Sequence, residues 1–563
     1  MNNRILRLLP GATLLAMLGP VVAGLIGVLL PAFGWMPALG MTQLTTDAFA
    51  DLFAWPGLAR ASYLSVFVGL AATLFALTVV VMVCACWQGT RAFNWLERVL
   101  SPLLSLPHAT AAFALAFLIA PSGWIVRLVS PWITGWDSPP DVLVLNDPMG
   151  LSLTLGLIVK EIPFLILMTL AALNQINAGP TIRAARSMGY SRHIAWLKLI
   201  FPRVYMQIRL PVYVVLAYSM TVVDVATILG PTTPPTLSVQ ILDWLSDPTL
   251  MRHSIAAAGA VWQLGLVAGV LFTWRASERI VASLGTRWIE KGTRGRDSGS
   301  LRMLAFALGG GSAFIIGLGL AVLTIWSFAG LWTFPDALPQ KFTFKNWERH
   351  LPALRDTATE TLQIAACASL ISLTLSIGCL EAEHRFNLRM RRYSWWLLYI
   401  PLIVPQVSFL PGLQMLFLQL GATSGTKAVI CAHIVFVLPY VFLSLGDPFR
   451  NWDERFATVG ASLGHGPDTT LWRLRLPMLL RPILTATAVG FAVSIGQYLP
   501  TLLTGGGRVT TLTTEAVALA SGSDRRAIGA YGLALTASAM LPFALATLLP
   551  RAMWRNRRGL AHG

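Results

Sequence analysis

Residues 151–174 read LSLTLGLIVKEIPFLILMTLAALN, a run in which only Lys160 and Glu161 carry charge. A segment this long and apolar covers the ~30 Å hydrocarbon thickness of a bilayer as a helix. Helix is the forced choice, because a lone segment in lipid must satisfy its backbone hydrogen bonds internally. Comparable stretches recur along the chain, about twelve of them, near residues 12–34, 62–86, 100–120, 151–174, 209–230, 254–274, 303–326, 359–380, 395–420, 427–446, 484–504 and 530–550. The 563 residues are 55% hydrophobic and 12% charged, with a mean hydropathy of +0.65, which excludes a water-soluble globule of this size. The expected fold is an all-α polytopic membrane protein. Its first apolar stretch follows Arg4 and Arg7 as a secretory signal does. That stretch is long and meets no small-residue cleavage pattern before Trp35, so it reads as a retained span.

A net charge of +17 raises the question of nucleic acid, and its distribution answers against it. The cations crowd alternate span ends: Arg91 and Arg98; Arg183, Arg186, Arg192, Lys198, Arg203 and Arg209; then Arg275 through Arg296; then Arg389, Arg391 and Arg392; then Arg551 through Arg558. The positive-inside rule makes these ends cytoplasmic and puts both termini inside. The alternation weakens at 327–358, where Lys341, Lys345, Arg349 and Arg355 fall on the expected outer side. The five cysteines all lie within or at the ends of apolar spans, where they behave as small hydrophobes. Cys84 and Cys86 lack the companions a metal site needs, so no metal is expected.

A polar interruption at 275–302 divides the chain into six spans on each side, residues 1–274 and 303–563. An even number per half gives both halves one orientation, so a repeat should be parallel. The repeat is visible: Gly189 and Pro202 map onto Gly464 and Pro477 at a shift of 275, as do Gly230 onto Gly505 and Thr236-Leu237 onto Thr511-Leu512. One gap-free register spans a loop, a membrane helix and the next loop, and duplication accounts for it. Pro163-Phe164 and Pro439-Tyr440 match at 276, and Pro107-His108 resembles Pro405-Gln406 at a looser shift.

Small residues ahead of a glycine let a short helix end and turn sharply, leaving an exposed face for a partner's groove. Arg183-Ala184-Ala185-Arg186-Ser187-Met188-Gly189, followed by Leu199-Ile200-Phe201-Pro202, resembles the loop motif of binding-protein-dependent ABC importer permeases. That motif reads Glu-Ala-Ala, three residues, Gly, nine residues, Ile-x-Leu-Pro. Ala184, Ala185, Gly189 and Pro202 match, while Arg183 replaces the Glu. In the second half Gly464, Leu474, Leu476 and Pro477 match, and Thr458-Val459-Gly460 replaces Glu-Ala-Ala. The resemblance implies that each short helix docks on a cytoplasmic ATPase. It covers nearly the whole chain, and residues 221–237 and 490–517 are especially similar to fused permeases assigned to thiamine transport, with ferric iron permeases related.

No Gly-x4-Gly-Lys-Ser/Thr phosphate loop occurs, so the chain is not its own ATPase. The resemblance implies two separate ATPase subunits holding ATP and magnesium, a periplasmic solute-binding protein, no cofactor on this chain, and a place in the cell inner membrane. The outer loops at 231–253 and 505–529 are the expected docks for the binding protein. Charges in hydrocarbon are costly and should face a partner or a wet path. Asp224, expected mid-helix in the fifth span, and Lys160 and Glu161 in the fourth are such charges. A passage lined by the fourth and fifth spans of each half would bring them near His433, Gln497 and Tyr498, with the acids suiting a cation such as thiamine and Tyr498 adding a cation–π face. The other reading makes Lys160 a structural partner of Glu161 or Asp224. A proton-coupled secondary carrier also has about twelve spans in parallel halves. It does not need the paired docking loop.

Overall fold

Every apolar stretch becomes helical, but several are broken, and the breaks organise the molecule. The computed structural model describes residues 3–37, 40–388, 392–421, 425–522 and 524–553, which contain no β-strand. The main helices of the first half are α1 (Asn3–Ala32), α2 (Leu58–Trp87), α3 (Arg91–Leu103), α4 (His108–Ile119), α5 (Leu151–Asn174), α6 (Ala178–Ser187), α7 (Phe201–Thr221), α8 (Asp224–Leu229), α9 (Leu237–Ser246) and α10 (Leu250–Glu290). Those of the second are α11 (Gly299–Phe328), α12 (Lys345–Arg385), α13 (Arg392–Ile403), α14 (Leu410–Gln419), α15 (Thr426–Arg450), α16 (Arg455–Ser462), α17 (Leu480–Ile495), α18 (Leu499–Gly505), α19 (Leu512–Ala520) and α20 (Arg525–Met553).

Among the described residues ten helices are long and apolar enough to cross a membrane, or eleven if the segments 467–478 and 480–495, bent by 74°, form one crossing. The expected ninth span, 395–420, is divided into α13 and α14, because Pro401, Pro405 and Pro411 remove backbone donors there. The third is divided at the corresponding place: α3 stops at Leu103, and Pro107 caps α4. The looser Pro107/Pro405 likeness thus marks one feature in both halves.

The 275 shift recurs in the structure. It carries the π-helical turn Trp196–Ile200 onto Leu471–Arg475 and the short helix Arg192–Ala195 onto Pro467–Thr470. It also carries the starts of α9 and α10 onto those of α19 and α20. Leu237 N–H at the start of α9 donates to Ser65 Oγ, and Leu512 N–H at the start of α19 donates to Thr361 Oγ1.

The first helix of each half reaches across to the other half. α1 packs against α12, α14 and α15 as well as α10 of its own half, and α11 packs against α2, α4 and α5 as well as α20 of its own. Lipid tails are as apolar as leucine, so helices join in a membrane by close packing and polar contacts rather than by hydrophobic burial. Glycine provides the approach here. A Cβ on Gly27 would lie 2.8 Å from Gly412 Cα, and one on Gly24 or Gly412 would collide with the backbone carbonyl of Phe409 or Gly24.

The polar stretch 275–302 is mostly helix rather than linker, since α10 runs on to Glu290. The extension is anchored where Glu278 accepts from Tyr205 and Tyr213 (2.6 and 3.0 Å) and pairs with Arg275 and Arg209.

Candidate functional site

The fifth and eleventh spans break in register, each between a long and a short helix: α7 stops at Thr221 before α8, and α17 stops at Ile495 before α18. A break in lipid frees carbonyls that something must satisfy. Gln263 Nε2 donates to Met220 O at 3.1 Å, and Thr513 Oγ1 donates to Ile495 O, two carbonyls 275 apart. Pro500 forces the second break. The first follows the β-branched pair Val222-Val223, with Asp224 opening α8. Asp224 is therefore not mid-helix as expected but the first residue of a new one, where the helix dipole favours its charge.

Between the halves lies a cavity of ≈ 910 Å³. Its lining runs from the two breaks down α5, α7 and α15 to Gln175, Met206 and Arg450, beside the docking loops, and takes no residue from the opposite ends of α5 and α15. Lys160, Glu161, Asp224, Gln497 and Tyr498 all line it, together with His108, Gln406 and the aromatic residues Tyr218, Trp395, Trp396, Tyr399 and Tyr440. His433 does not: it is buried behind the wall, bonded to Ser494 Oγ (2.8 Å) and Thr501 Oγ1 (2.9 Å). The hydroxyls on α17 and α18 satisfy both ring nitrogens, so the imidazole ties the second break together and cannot reach the cavity.

Lys160 is also not the ion-pair partner that one reading made it. Its ammonium donates to Leu103 O (3.1 Å) and Leu104 O (3.3 Å), the carbonyls freed where α3 ends. It is a cation at a helix C-terminus. Among the described residues Glu161, Asp224 and Asp447 form no ion pair, whereas the cavity's Arg209 pairs with Glu278 (3.2 Å) and its Arg450 with Glu383 (2.9 Å). The lining thus presents three carboxylates among aromatic rings; Arg209 and Arg450 are paired with acids outside it, and Lys160 is the one lining cation that no carboxylate pairs with among the described residues.

The two docking loops share one cap. Tyr190 N–H bonds Ala185 O and Gly189 N–H bonds Arg186 O; His465 N–H bonds Gly460 O and Gly464 N–H bonds Ala461 O. This six-to-one and five-to-two pattern requires a left-handed residue, and Gly189 and Gly464 have φ of +85° and +78°. Ala185 and Gly460 are buried at equivalent positions; a Cβ on Gly460 would come within 3.3 Å of Leu474 and Thr470, which explains the small residue. Ala184 faces outward. Met188 and Leu463, also equivalent, are 64% and 70% exposed at the tips. Pro202 opens α7 after its π turn, and Leu476-Pro477 begin the turn before α17.

Comparison with known proteins identifies the machinery. Residues 371–555 match the family model described as "Binding-protein-dependent transport system inner membrane component". The chain is 30% identical over 558 residues to the inner membrane ABC transporter permease protein YnjC of Escherichia coli K12, covering 97% of this chain and 98% of that one. The chain belongs to this permease family. Other relatives are the molybdenum transport system permease protein ModB of Mycobacterium tuberculosis, 27% identical over 29% of this chain and 68% of ModB, and the spermidine/putrescine transport system permease protein PotC of Haemophilus influenzae, 24% identical over 27% and 60%. The permease is thus a multi-pass inner-membrane component of an ABC importer, and the secondary-carrier reading falls away. Its relatives are transport proteins rather than enzymes.

The outer loops expected to dock the binding protein hold α9 and α19, whose Leu237, Ile241, Trp244, Leu512, Ala516 and Val517 are buried within the permease. Sequence reading missed Gln263 and Thr513; a lone amide in the sixth span, Gln263, was the available signal.

Proposed function

We propose that the cavity between the two breaks is the translocation path of a small organic cation of the thiamine kind, and that Glu161, Asp224, Gln497 and Tyr498 line it. What supports this is the charge of the lining: three carboxylates against the one unpaired ammonium of Lys160, among aromatic faces, a net negative combination that attracts cations and repels oxyanions. The volume lies within the roughly 300–1,000 Å³ of small-molecule sites. Ferric iron is less well served, since among the described residues no three His, Cys, Asp or Glu side chains converge as a ligand set.

In the same reading two ATPase subunits, each binding ATP and magnesium, seat on the loops around Ala184, Ala185 and Gly189 and around Gly460 and Gly464. A periplasmic binding protein delivers the solute, and both termini are cytoplasmic. The test is ATP hydrolysis by the permease reconstituted with an ABC ATPase subunit and binding protein, with and without thiamine, beside Asp224→Asn. Stimulation by thiamine that Asp224→Asn loses at normal expression supports the proposal. Stimulation that survives Asp224→Asn removes Asp224 from the path, and hydrolysis indifferent to thiamine rejects that ligand.

A further inference from the structure

The two docking loops share a cap but not a support. The first is crossed by the non-helical segment 291–298 that joins the halves. Ser191 N–H donates to Arg294 O (3.0 Å), Arg192 N–H to Asp297 Oδ1 (3.0 Å), and Lys198 Nζ to Thr293 O (3.0 Å). Gly295, at φ +69°, sits so close that a Cβ there would meet Ile194 at 2.6 Å. Thus pinned, the segment lays Arg294 within about 3.5 Å of where a Cβ on Gly189 would stand, at the tip of the first dock.

At the second loop the equivalent of Arg192 is Pro467, which has no N–H to offer. That loop is held from α12 instead, by Arg385 on Asp468 (2.6 Å) and Glu381 on Arg475 (2.8 Å). Asp453 and Arg455 neutralise each other beside α16. The first dock has no such balance: Arg183, Arg186, Arg294 and Arg296 are exposed and form no ion pair among the described residues.

We propose that the segment joining the halves is part of the first docking surface, and that this composite, Arg-rich surface seats an acidic face of one ATPase subunit. This rests on the ABC-permease reading above. The second dock holds its subunit chiefly through its apolar tip. The ATPase is the occupant, rather than anionic lipid, because the added cations are continuous with the docking helix and gather at its exposed tip beside Gly189.

The experiment measures ATPase binding to the full-length permease in nanodiscs of zwitterionic lipid alone, as a function of salt. Arg294→Gln/Arg296→Gln should weaken binding about three- to tenfold at low salt and flatten its salt dependence, whereas removing an exposed cation away from both docks, Arg349→Gln, should change neither. Asp297→Ala makes the surface more positive yet should weaken binding as well, because it unpins the segment. Binding and salt slope unchanged in Arg294→Gln/Arg296→Gln would overturn the proposal. So would a loss that appears only when phosphatidylglycerol is added to the nanodiscs in a second series, which makes lipid the partner. If the parent permease binds no ATPase at any salt, the reading beneath falls and this one with it.

Discussion

Replacing Lys160 by methionine separates a structural lysine from one that serves the solute. The substitution nearly conserves volume and removes two hydrogen bonds from a buried ammonium to the carbonyls of Leu103 and Leu104. Hydrogen bonds to a charged group contribute about 1.5–3 kcal/mol each. Against that loss, the neutral side chain escapes the several kcal/mol of desolvation that a buried ion suffers. What remains is two helix-end carbonyls with no donor in a low-dielectric setting, a net destabilisation of about 1–3 kcal/mol. For a chain of 563 residues that corresponds to a melting temperature lower by roughly 1–3 °C. Parent, Lys160→Met and Lys160→Gln are compared by tryptophan fluorescence in detergent at one scan rate, since unfolding of such proteins is rarely reversible. Lys160→Gln keeps a donor and should fall between the other two. Transport, normalised to folded protein, should change little. A Lys160→Met protein that melts with the parent but no longer transports would refute the reasoning and make the ammonium part of the path.

Three further outcomes are expected. Gly464→Ala meets no atom within 4 Å but must hold a left-handed φ of +78°, so it should cost about 1 kcal/mol locally, leave the permease folded, and lower ATPase coupling measured in proteoliposomes. Gly412→Ala drives a methyl into the backbone of Gly24 and should release α1 from α14, read as new protease sensitivity of the N-terminal helix. His433→Phe removes the bonds to Ser494 and Thr501, of which Thr501 keeps its bond to Gln497 O, and should lower the melting temperature, with transport by the surviving folded protein retained; loss of transport at full stability would return His433 to the path.

The membrane helices were legible because burial in lipid leaves no other backbone solution, and Lys160, Glu161 and Asp224 stood out because charge in hydrocarbon needs a reason. Continuity was not legible. Hydropathy reports composition, so Val222-Val223, with neither proline nor glycine, gave no sign that a helix ends there. Lys160 could not be assigned from sequence because its acceptors, 57 and 56 residues upstream, are backbone carbonyls that exist as acceptors only once α3 has stopped. His433 was placed on the path by helical position alone, and the hydroxyls that close around it come from two other helices.

The reach of the first helices across the halves bears on biogenesis. α1 precedes the glycine-to-glycine seat that receives it by about 390 residues. At ~5–20 residues per second of synthesis, the seat on α14 follows α1 by roughly 20–80 s. Until then Gly24 and Gly27 lack the backbone of Phe409 and Gly412 against which they pack. Joining both halves in one polypeptide keeps the late-arriving seat in the same nascent molecule, so α1 need not find it by diffusion among other chains in the membrane.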